Sequence, residues 1–335
     1  MKTLVFFIVL LVCSIQSCTA PLYNKINGVS FVASREPISK ADVQQLVNIN
    51  SNYVALMPFG FMGNASQPNL VFNTERQWFG ETGAGVRQYA QGLKAQNLKI
   101  MLKPQLWVSG GVFTGFIEMD SDANWKVLEK NYSDFILNYA QIAQEINAEM
   151  FCMGTELEAF VRHRPKFWNE LIKQIKQVYK GKLTYAANWN EFDKTPFWNQ
   201  LDFIGIDAYF PVSESKTPTV NECKAAWKKH KNVMLDVLNR YDKPILFTEF
   251  GYRSIDYCGK EPWNSDRNLR NTNLQAQANA TQALFDMFWK ESWFAGGFVW
   301  KWHHDHKTAG GKNNNQFTPQ NKPVEALIKK QYGQF

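Results

Sequence analysis

The chain has 335 residues, of which 45% are hydrophobic, and it carries a formal net charge of +7 at pH 7. A chain of this length can bury a large core, and an α/β barrel uses this length as a single domain. Lys and Arg are dispersed, and their densest cluster, KAAWKKHK (Lys224–Lys231), is typical of the solvated face of a helix. No RNA-binding signature or zinc-finger spacing accompanies it, so we expect no nucleic-acid partner.

The N-terminal segment is typical of an export signal. A basic Lys2 precedes an apolar run from Leu4 to Val12, which is too short to span a bilayer. The sequence IQSC, which ends at Cys18, resembles a bacterial lipobox, in which the cysteine is lipidated and becomes the mature N-terminus. Gln16 is a poor residue for that motif, but ordinary cleavage after Ala20 would leave an unfavourable proline first.

We therefore expect three parts: a lipoprotein signal peptide over residues 1–17, a short tether over 18–26 and one folded domain over 27–335. The protein would be exported and anchored to a bacterial membrane through Cys18, at the cell surface or in the periplasm. Simple secretion without a lipid is the alternative.

The remaining cysteines have no metal-binding spacing. Cys152 lies in an apolar segment and is expected to be a buried free thiol, whereas Cys223 and Cys258 fall in predicted loops and could pair in an oxidising compartment. The tract HHDH (His303–His306) resembles a metal-binding tract, but neighbouring side chains alternate in direction along a strand, so one ion could not use them all. We expect no metal and no cofactor.

Eight short apolar segments, each predicted to be a strand, follow the signal. They are NGVSFVA near Val29, NYVALMPFG near Ala55, LKIMLKPQLWV near Met101, AEMFCMGTELE near Cys152, KLTYAANWN near Ala186, LDFIGIDAYFP near Ile206, KPILFTEFGY near Phe247 and FAGGFVWKWH near Val299. Between them, segments such as 124–146 and 165–181 repeat apolar residues with the 3.6-residue period of a helix. Eight such repeats favour a closed (β/α)8 barrel over an open doubly wound sheet, and no GxGxxG follows the first strand.

The carboxyl ends of these segments are rich in acids, amides and large aromatics, and in such barrels the functional groups lie at those ends. The residues in question are Lys103, Gln105, Trp107, Glu156, Glu158, Asn188, Trp189, Asn190, Asp207, Tyr209, Glu249, Trp300, Lys301 and Trp302. The fourth and seventh strands lie on roughly opposite sides of an eight-stranded mouth, so Glu156 and Glu249 can face each other across a ligand. Paired carboxylates suit glycoside hydrolysis, and tryptophans supply flat apolar surfaces for sugar rings.

Six segments, in order, resemble glycoside hydrolase family 113. They are LKPQLWV, GTELE, AANWNE, IDAYFP, TEFGY and VWKWHHD, and the resemblance extends from about Gly28 to about Ile328. It implies a clan A (β/α)8 barrel over residues 27–335 with a retaining mechanism, and most characterised members of the family are endo-β-1,4-mannanases. The expected partner is a polysaccharide or oligosaccharide, and the expected state is a monomer.

The resemblance also implies roles for single residues. Glu156 matches the general acid/base, Glu249 the nucleophile, and Tyr209 the tyrosine that contacts the nucleophile. Trp300 or Trp302 matches the aromatic platform of the eighth strand, and Trp302 is expected nearer the mouth.

Further residues complete the predicted site. Glu158 shares the strand face of Glu156 but is expected to begin the next helix, and Thr155 stands where many clan A relatives have asparagine. The predicted substrate-binding residues are Lys103, Gln105, Trp107, Asn188, Trp189, Tyr209, Trp300 and Trp302. The alternatives are another clan A β-glycosidase, such as a β-glucanase or an exo-β-mannosidase, and a lipid-anchored glycan-binding barrel without catalysis.

Overall fold

A computed structural model of the protein describes residues 25–265 and 271–335. The predicted signal peptide (1–17), the lipidation candidate Cys18 and the tether as far as residue 24 lie outside the described residues. The first strand described begins at Ile26, the last residue of the predicted tether.

Eight parallel strands close into a barrel. In chain order, the strands of the described ranges are β1 (Ile26–Phe31), β2 (Tyr53–Leu56), β3 (Phe59–Met62), β4 (Lys99–Leu102), β5 (Gln105–Val108), β6 (Met150–Thr155), β7 (Lys182–Asn188), β8 (Ile204–Asp207), β9 (Ile245–Phe250) and β10 (Phe294–Trp302). The barrel runs β1-β2-β4-β6-β7-β8-β9-β10, and β10 pairs with β1 to close it. The predicted single (β/α)8 barrel is confirmed.

Helices cover the outside of the barrel. In the same ranges they are α1 (Lys40–Asn48), α2 (Gly83–Lys94), α3 (Asp122–Glu145), α4 (Glu158–His163), α5 (Pro165–Val178), α6 (Val220–Tyr241), α7 (Leu274–Phe288) and α8 (Pro323–Tyr332). The periodic segments 124–146 and 165–181 correspond to α3 and α5, and the basic cluster lies within α6. Of the helices described, none combines the length and the apolar character needed to cross a membrane.

The core has two layers, as expected for a barrel covered by helices. A large cluster of buried apolar and aromatic side chains fills the space between sheet and helices. A smaller cluster fills the barrel itself, with contributions from most strands: Ile26, Ala55, Met101, Met150, Cys152, Ala186, Leu246 and Phe298. The barrel is therefore packed below its mouth, and a ligand can enter only above this layer.

Two of the predicted strands are split by proline. The second and third apolar segments each form a barrel strand and then a separate short strand, β3 and β5, which pair with each other in parallel. Pro58 and Pro104 stand directly before these short strands. Proline lacks the N–H that a continuous ladder needs, so the ladder is interrupted at both positions. The β3–β5 ribbon therefore rises from the carboxyl end of the barrel as a separate wall.

Three strands carry one extra residue near their carboxyl ends. Between Cys152 and Thr155, β6 advances three residues while β7 advances two. In the same way, β9 gains a residue relative to β8 at Thr248, and β10 gains one relative to β1 before Trp302. Such bulges turn the following side chains away from regular alternation.

Candidate active site

The carboxyl ends of the barrel strands open into a cleft of about 1250 Å³. Six of the predicted site residues line it: Gln105, Trp107, Glu156, Tyr209, Glu249 and Trp300. They come from five different barrel strands or their extensions, so the closed barrel is what brings them together.

Glu249 lies at the floor of this cleft and accepts hydrogen bonds from three side chains. Gln105 Nε2 donates to Oε1 over 2.9 Å, and Tyr209 Oη donates to Oε2 over 2.8 Å. Lys103 Nζ also contacts Oε1. The carboxylate is therefore fixed in orientation, with donors on both oxygens and a positive charge beside it.

Lys103 lies beneath the cleft and does not line it. Its ammonium group is fully buried and also lies 3.3 Å from Asp207 Oδ1, which in turn accepts a hydrogen bond from Thr248 Oγ1 over 2.7 Å. The predicted contact of Lys103 with substrate is therefore replaced by contacts with two carboxylates, because the side chain points into the barrel. Burial alone lowers the pKa of Lys103, but Asp207 and Glu249 outweigh that effect and raise it.

Asp207, predicted to lie at a strand end but given no role there, belongs to the charged group beneath the cleft. Desolvation, followed by the charge of Glu249, raises the pKa of Asp207 to about 7, against the opposing effects of Lys103 and Thr248. Tyr209 is also deeply buried, and desolvation together with the charge of Glu249 raises its pKa well above the ordinary value. Its phenol therefore stays neutral and donates a hydrogen bond to Glu249.

Glu156 follows directly after β6 and lines the cleft. Desolvation is the largest cause that raises its pKa well above the ordinary value, and the charges of Asp207 and Glu249 add to it. This environment therefore favours the protonated form of the Glu156 carboxyl group. Glu158, by contrast, is the first residue of α4, as predicted.

Three tryptophans stand at the cleft. Trp107 on the β3–β5 ribbon is 49% exposed, and Trp300 at the end of β10 has Lys301 Nζ 5.4 Å from its ring centre. Trp263, in the loop after β9, was not predicted; it is 43% exposed and stacks on Trp189 with 5.1 Å between ring centres. Two exposed rings, one on the ribbon and one in this loop, therefore line the same cleft as the glutamates.

Trp302 does not lie at the mouth, contrary to the expectation that it is the nearer of the two. It is fully buried, and its ring centre lies 5.6 Å from that of His306. The extra residue in β10 is the reason, because it breaks the alternation that would place Trp300 and Trp302 on one face. Trp300 is the residue that lines the cleft.

The fifth barrel strand contributes less directly than predicted. Asn188 is buried, and its Oδ1 accepts a hydrogen bond from the backbone N–H of Trp189 over 2.7 Å. Trp189 supports Trp263 by stacking. Neither is among the residues that line the cleft, so both shape its wall from behind.

The histidine tract lies at the rim. His303, His304 and Asp305 line the cleft, and His306 turns away to hydrogen bond with Glu325 over 2.7 Å. Across residues 25–265 and 271–335, no three His, Cys, Asp or Glu side chains are grouped as a metal site.

The cysteines of the described part of the chain are all buried free thiols. They are Cys152, Cys223 and Cys258. The pair considered for a disulfide, Cys223 and Cys258, is therefore reduced in this structure.

A carboxyl group with a raised pKa, a second carboxylate that accepts three hydrogen bonds and exposed tryptophans are typical of glycoside hydrolases when they meet at the mouth of a (β/α)8 barrel. The profile of Glycoside Hydrolase Family 113 matches residues 32–322. The chain therefore belongs to glycoside hydrolase family 113. A comparison with curated proteins finds no match.

Solved structures share the fold. The GH113 β-mannanase AaManA from Alicyclobacillus acidocaldarius, in complex with ManMIm, has a TM-score of 0.82 at 24% identity, covering 93% of this chain and 98% of its own. A GH113 β-1,4-mannanase complex has a TM-score of 0.80 at 24% identity, over 93% of this chain and 100% of its own. A β-glucuronidase from Faecalibacterium prausnitzii is more distant, with a TM-score of 0.61 at 13% identity, and this chain spans 49% of its length.

Replacing Lys103 with methionine should destabilise the fold by about 3–5 kcal/mol, because the buried carboxylates of Asp207 and Glu249 lose their cation. Urea unfolding at pH 7 measures this. The double variant Lys103→Met/Asp207→Asn should regain part of the loss, since it also removes one negative charge.

Lys130→Met is the matched control, because Lys130 pairs with Asp134 on an exposed helix surface. Its unfolding midpoint should stay close to that of the wild type. A Lys103→Met protein as stable as this control would contradict the charge arrangement described for the cleft floor.

Proposed function

We propose that the protein is a retaining endo-β-1,4-mannanase that acts on mannan or a related polysaccharide. The observation that carries the mechanism is the pair of carboxyl groups in the cleft. Glu249 is held by Lys103, Gln105 and Tyr209, while Glu156 is surrounded by groups that favour its protonated form. Double displacement needs one carboxylate that attacks and one carboxyl group that gives a proton, and Glu249 and Glu156 suit these two roles.

In the first step, Glu249 attacks the anomeric carbon and the glycosidic bond breaks. Glu156 gives its proton to the departing oxygen, so the leaving sugar departs as a neutral alcohol and a glycosyl ester remains on Glu249. In the second step, Glu156 removes a proton from water, which attacks the same carbon and releases Glu249. Two inversions retain the configuration, and this mechanism needs carboxyl groups about 5–5.5 Å apart.

The protonation states alternate between the two steps. Before the first step, the charges of Asp207 and Glu249 help Glu156 to keep its proton. When Glu249 becomes an ester it loses its charge, so the pKa of Glu156 falls. The ionised Glu156 can then act as a base. Tyr209 donates to Glu249 in the free enzyme and keeps the attacking oxygen aimed.

The substrate assignment rests on the family and on the aromatic side chains. The GH113 structures with the same fold are β-mannanases by name. Trp107 and Trp263 offer exposed rings in the same cleft as the glutamates, as expected for a cleft that holds several sugar units of a chain. A β-glucanase or an exo-β-mannosidase would use the same two glutamates, and a glycan-binding barrel would need the tryptophans alone. The enzyme is proposed to act as a monomer.

Hydrolysis of β-mannan, glucomannan, β-glucan and xylan, with sizing of the products, tests this function. We expect mixed mannooligosaccharides from the wild type, and a loss of at least about 1000-fold for Glu156→Gln and Glu249→Gln. The variant Asp236→Asn, on the exposed face of α6, is the control and should remain active.

Activity on another polymer would keep the mechanism and change the substrate. Release of single sugars from the chain end would indicate exo action. Binding of a glycan without hydrolysis, unaffected by either glutamate substitution, would establish the binding barrel instead.

The alkaline side of the pH profile should report Glu156. Replacing Asp207 with asparagine removes a negative charge that raises the pKa of Glu156. Glu156 then loses its proton at lower pH, so the alkaline limb of kcat/KM should move to lower pH. In the control Asp236→Asn, the alkaline limb should stay at its wild-type position. If it also stays there in Asp207→Asn, the role of Glu156 as the acid is contradicted.

We also propose that the protein is exported and anchored by a lipid on Cys18. The support is the sequence alone: Lys2, the apolar run and IQSC. In a bacterial host, Cys18→Ser should abolish incorporation of a labelled fatty acid and release the protein from the membrane fraction, whereas Cys13→Ser should change neither. A wild-type protein that is found soluble, with residue 21 as its N-terminus, would show simple secretion.

A further inference from the structure

Glu156 has an unusual backbone conformation. Its φ is +52°, in the left-handed region that a residue with a side chain rarely adopts. This conformation costs free energy, and it persists only where the surroundings fix it. The contacts around Glu156 should therefore include groups that hold its backbone.

Three hydrogen bonds hold the backbone on both sides of Glu156. Its own N–H donates to Ala186 O over 2.8 Å, and its carbonyl oxygen accepts from Thr114 Oγ1 over 3.1 Å. The next N–H, that of Leu157, donates to Tyr185 Oη over 2.7 Å. The last of these is the shortest, and it is made by a side chain from the neighbouring strand β7.

Tyr185 is itself fixed in place. Its Oη donates to Glu191 Oε1 over 3.2 Å, and both side chains are buried. Its ring packs edge-on against Trp168 and Phe197, with ring centres 5.7 and 5.4 Å away. The phenol oxygen can therefore move little, and the backbone at Leu157 is held against a rigid group.

Glu191 is anchored from the other end. The backbone N–H of Asn188 donates to its Oε2 over 3.4 Å, and Glu191 belongs to the turn that follows β7. Desolvation raises the pKa of Glu191 to about 8, against the opposing hydrogen bond from Asn188. No step of the double displacement uses Tyr185 or Glu191, although both lie beside the acid.

We propose that Tyr185 and Glu191 are positioning residues for the general acid/base: the chain Glu191–Tyr185–Leu157 N–H holds the turn after β6 and aims the Glu156 carboxyl group at the leaving oxygen. The proposal rests on the proposed function of Glu156. Its consequence is selective in the first chemical step, because there the position of the Glu156 carboxyl group affects only the transfer of a proton to the leaving group.

The leaving group of the substrate distinguishes positioning from general stability. A dinitrophenyl β-glycoside breaks without protonation, because dinitrophenolate is a stable anion, whereas an oligosaccharide of the same sugar needs a proton on its oxygen. The ratio kcat/KM reports the first chemical step for both substrates. A misplaced acid lowers the value for the oligosaccharide alone.

The charged groups that act on Glu156 are Asp207, Glu249, Lys103 and Glu191. Loss of the hydroxyl in Tyr185→Phe leaves all of them in place. The alkaline limb of the pH profile should therefore stay near its wild-type position while the rate on the oligosaccharide falls.

Tyr185→Phe should lower kcat/KM for the oligosaccharide by about 10- to 100-fold and for the dinitrophenyl glycoside by less than about threefold. Glu191→Leu, which lacks the acceptor oxygen, should follow the same pattern. Glu191→Gln keeps an oxygen that can accept from Tyr185 and should restore most of the oligosaccharide rate. These three expectations are checked by measuring kcat/KM of each variant on both substrates. Thermal unfolding of each variant is measured as well.

Tyr132→Phe is the matched control. Its hydroxyl is also buried and donates to Met153 O on β6 over 2.8 Å, three residues before Glu156. We expect a comparable loss of thermal stability but no difference between the two substrates.

Equal losses on both substrates in Tyr185→Phe, or no loss on either, would overturn the positioning role. Should Tyr185→Phe fail to fold, the contrast between Glu191→Leu and Glu191→Gln decides in its place. Glu156→Ala keeps the two proposals apart. If the loss of kcat/KM differs between the two substrates in Glu156→Ala but not in the Tyr185 and Glu191 variants, only the positioning role fails. If the loss is the same on both substrates in Glu156→Ala, the proposed function fails as well.

Discussion

The site depends on a buried cation placed between two carboxylates. Lys103, from the third barrel strand, contacts Asp207 and Glu249, from the sixth and seventh strands, at the top of the packed barrel interior. Two carboxylates without a cation would repel each other strongly in a region with little water. Because the lysine comes from across the barrel, the interaction can form only when the barrel is closed. Correct folding and the charge state of the cleft floor are thus linked.

Strand bulges decide which side chains reach the cleft. In β9, Thr248 and Glu249 are consecutive, yet Thr248 bonds to Asp207 and Glu249 bonds to Lys103 and Tyr209. Regular alternation would send one of the two outward. The extra residues in β6 and β10 act similarly near Glu156 and Trp300. The bulges at the carboxyl ends therefore position site residues, as the regular strands below them do.

The sequence predicts the barrel and the two glutamates because both depend on local signals. Apolar runs and helical periods identify the elements, and Glu156 and Glu249 stand where those runs end. Side-chain direction at the rim was less predictable. Trp302 points into the core because of a bulge that no local pattern reveals, and Lys103 is buried because its partners are distant in sequence. Trp263 and Tyr185 were missed since their partners, Trp189 and Leu157, meet them only in the folded chain.

The β3–β5 ribbon makes the two sides of the cleft unlike each other. On its side, Gln105 and Trp107 are carried by paired strands, whereas the loop from Thr308 to Thr318 borders the cleft elsewhere without regular structure. A polysaccharide has a reducing and a non-reducing end and presents different atoms when it is reversed. A cleft with two dissimilar walls is not indifferent to that reversal. Because the ribbon belongs to only one of the two walls, a glycan chain would meet different side chains in its two possible directions.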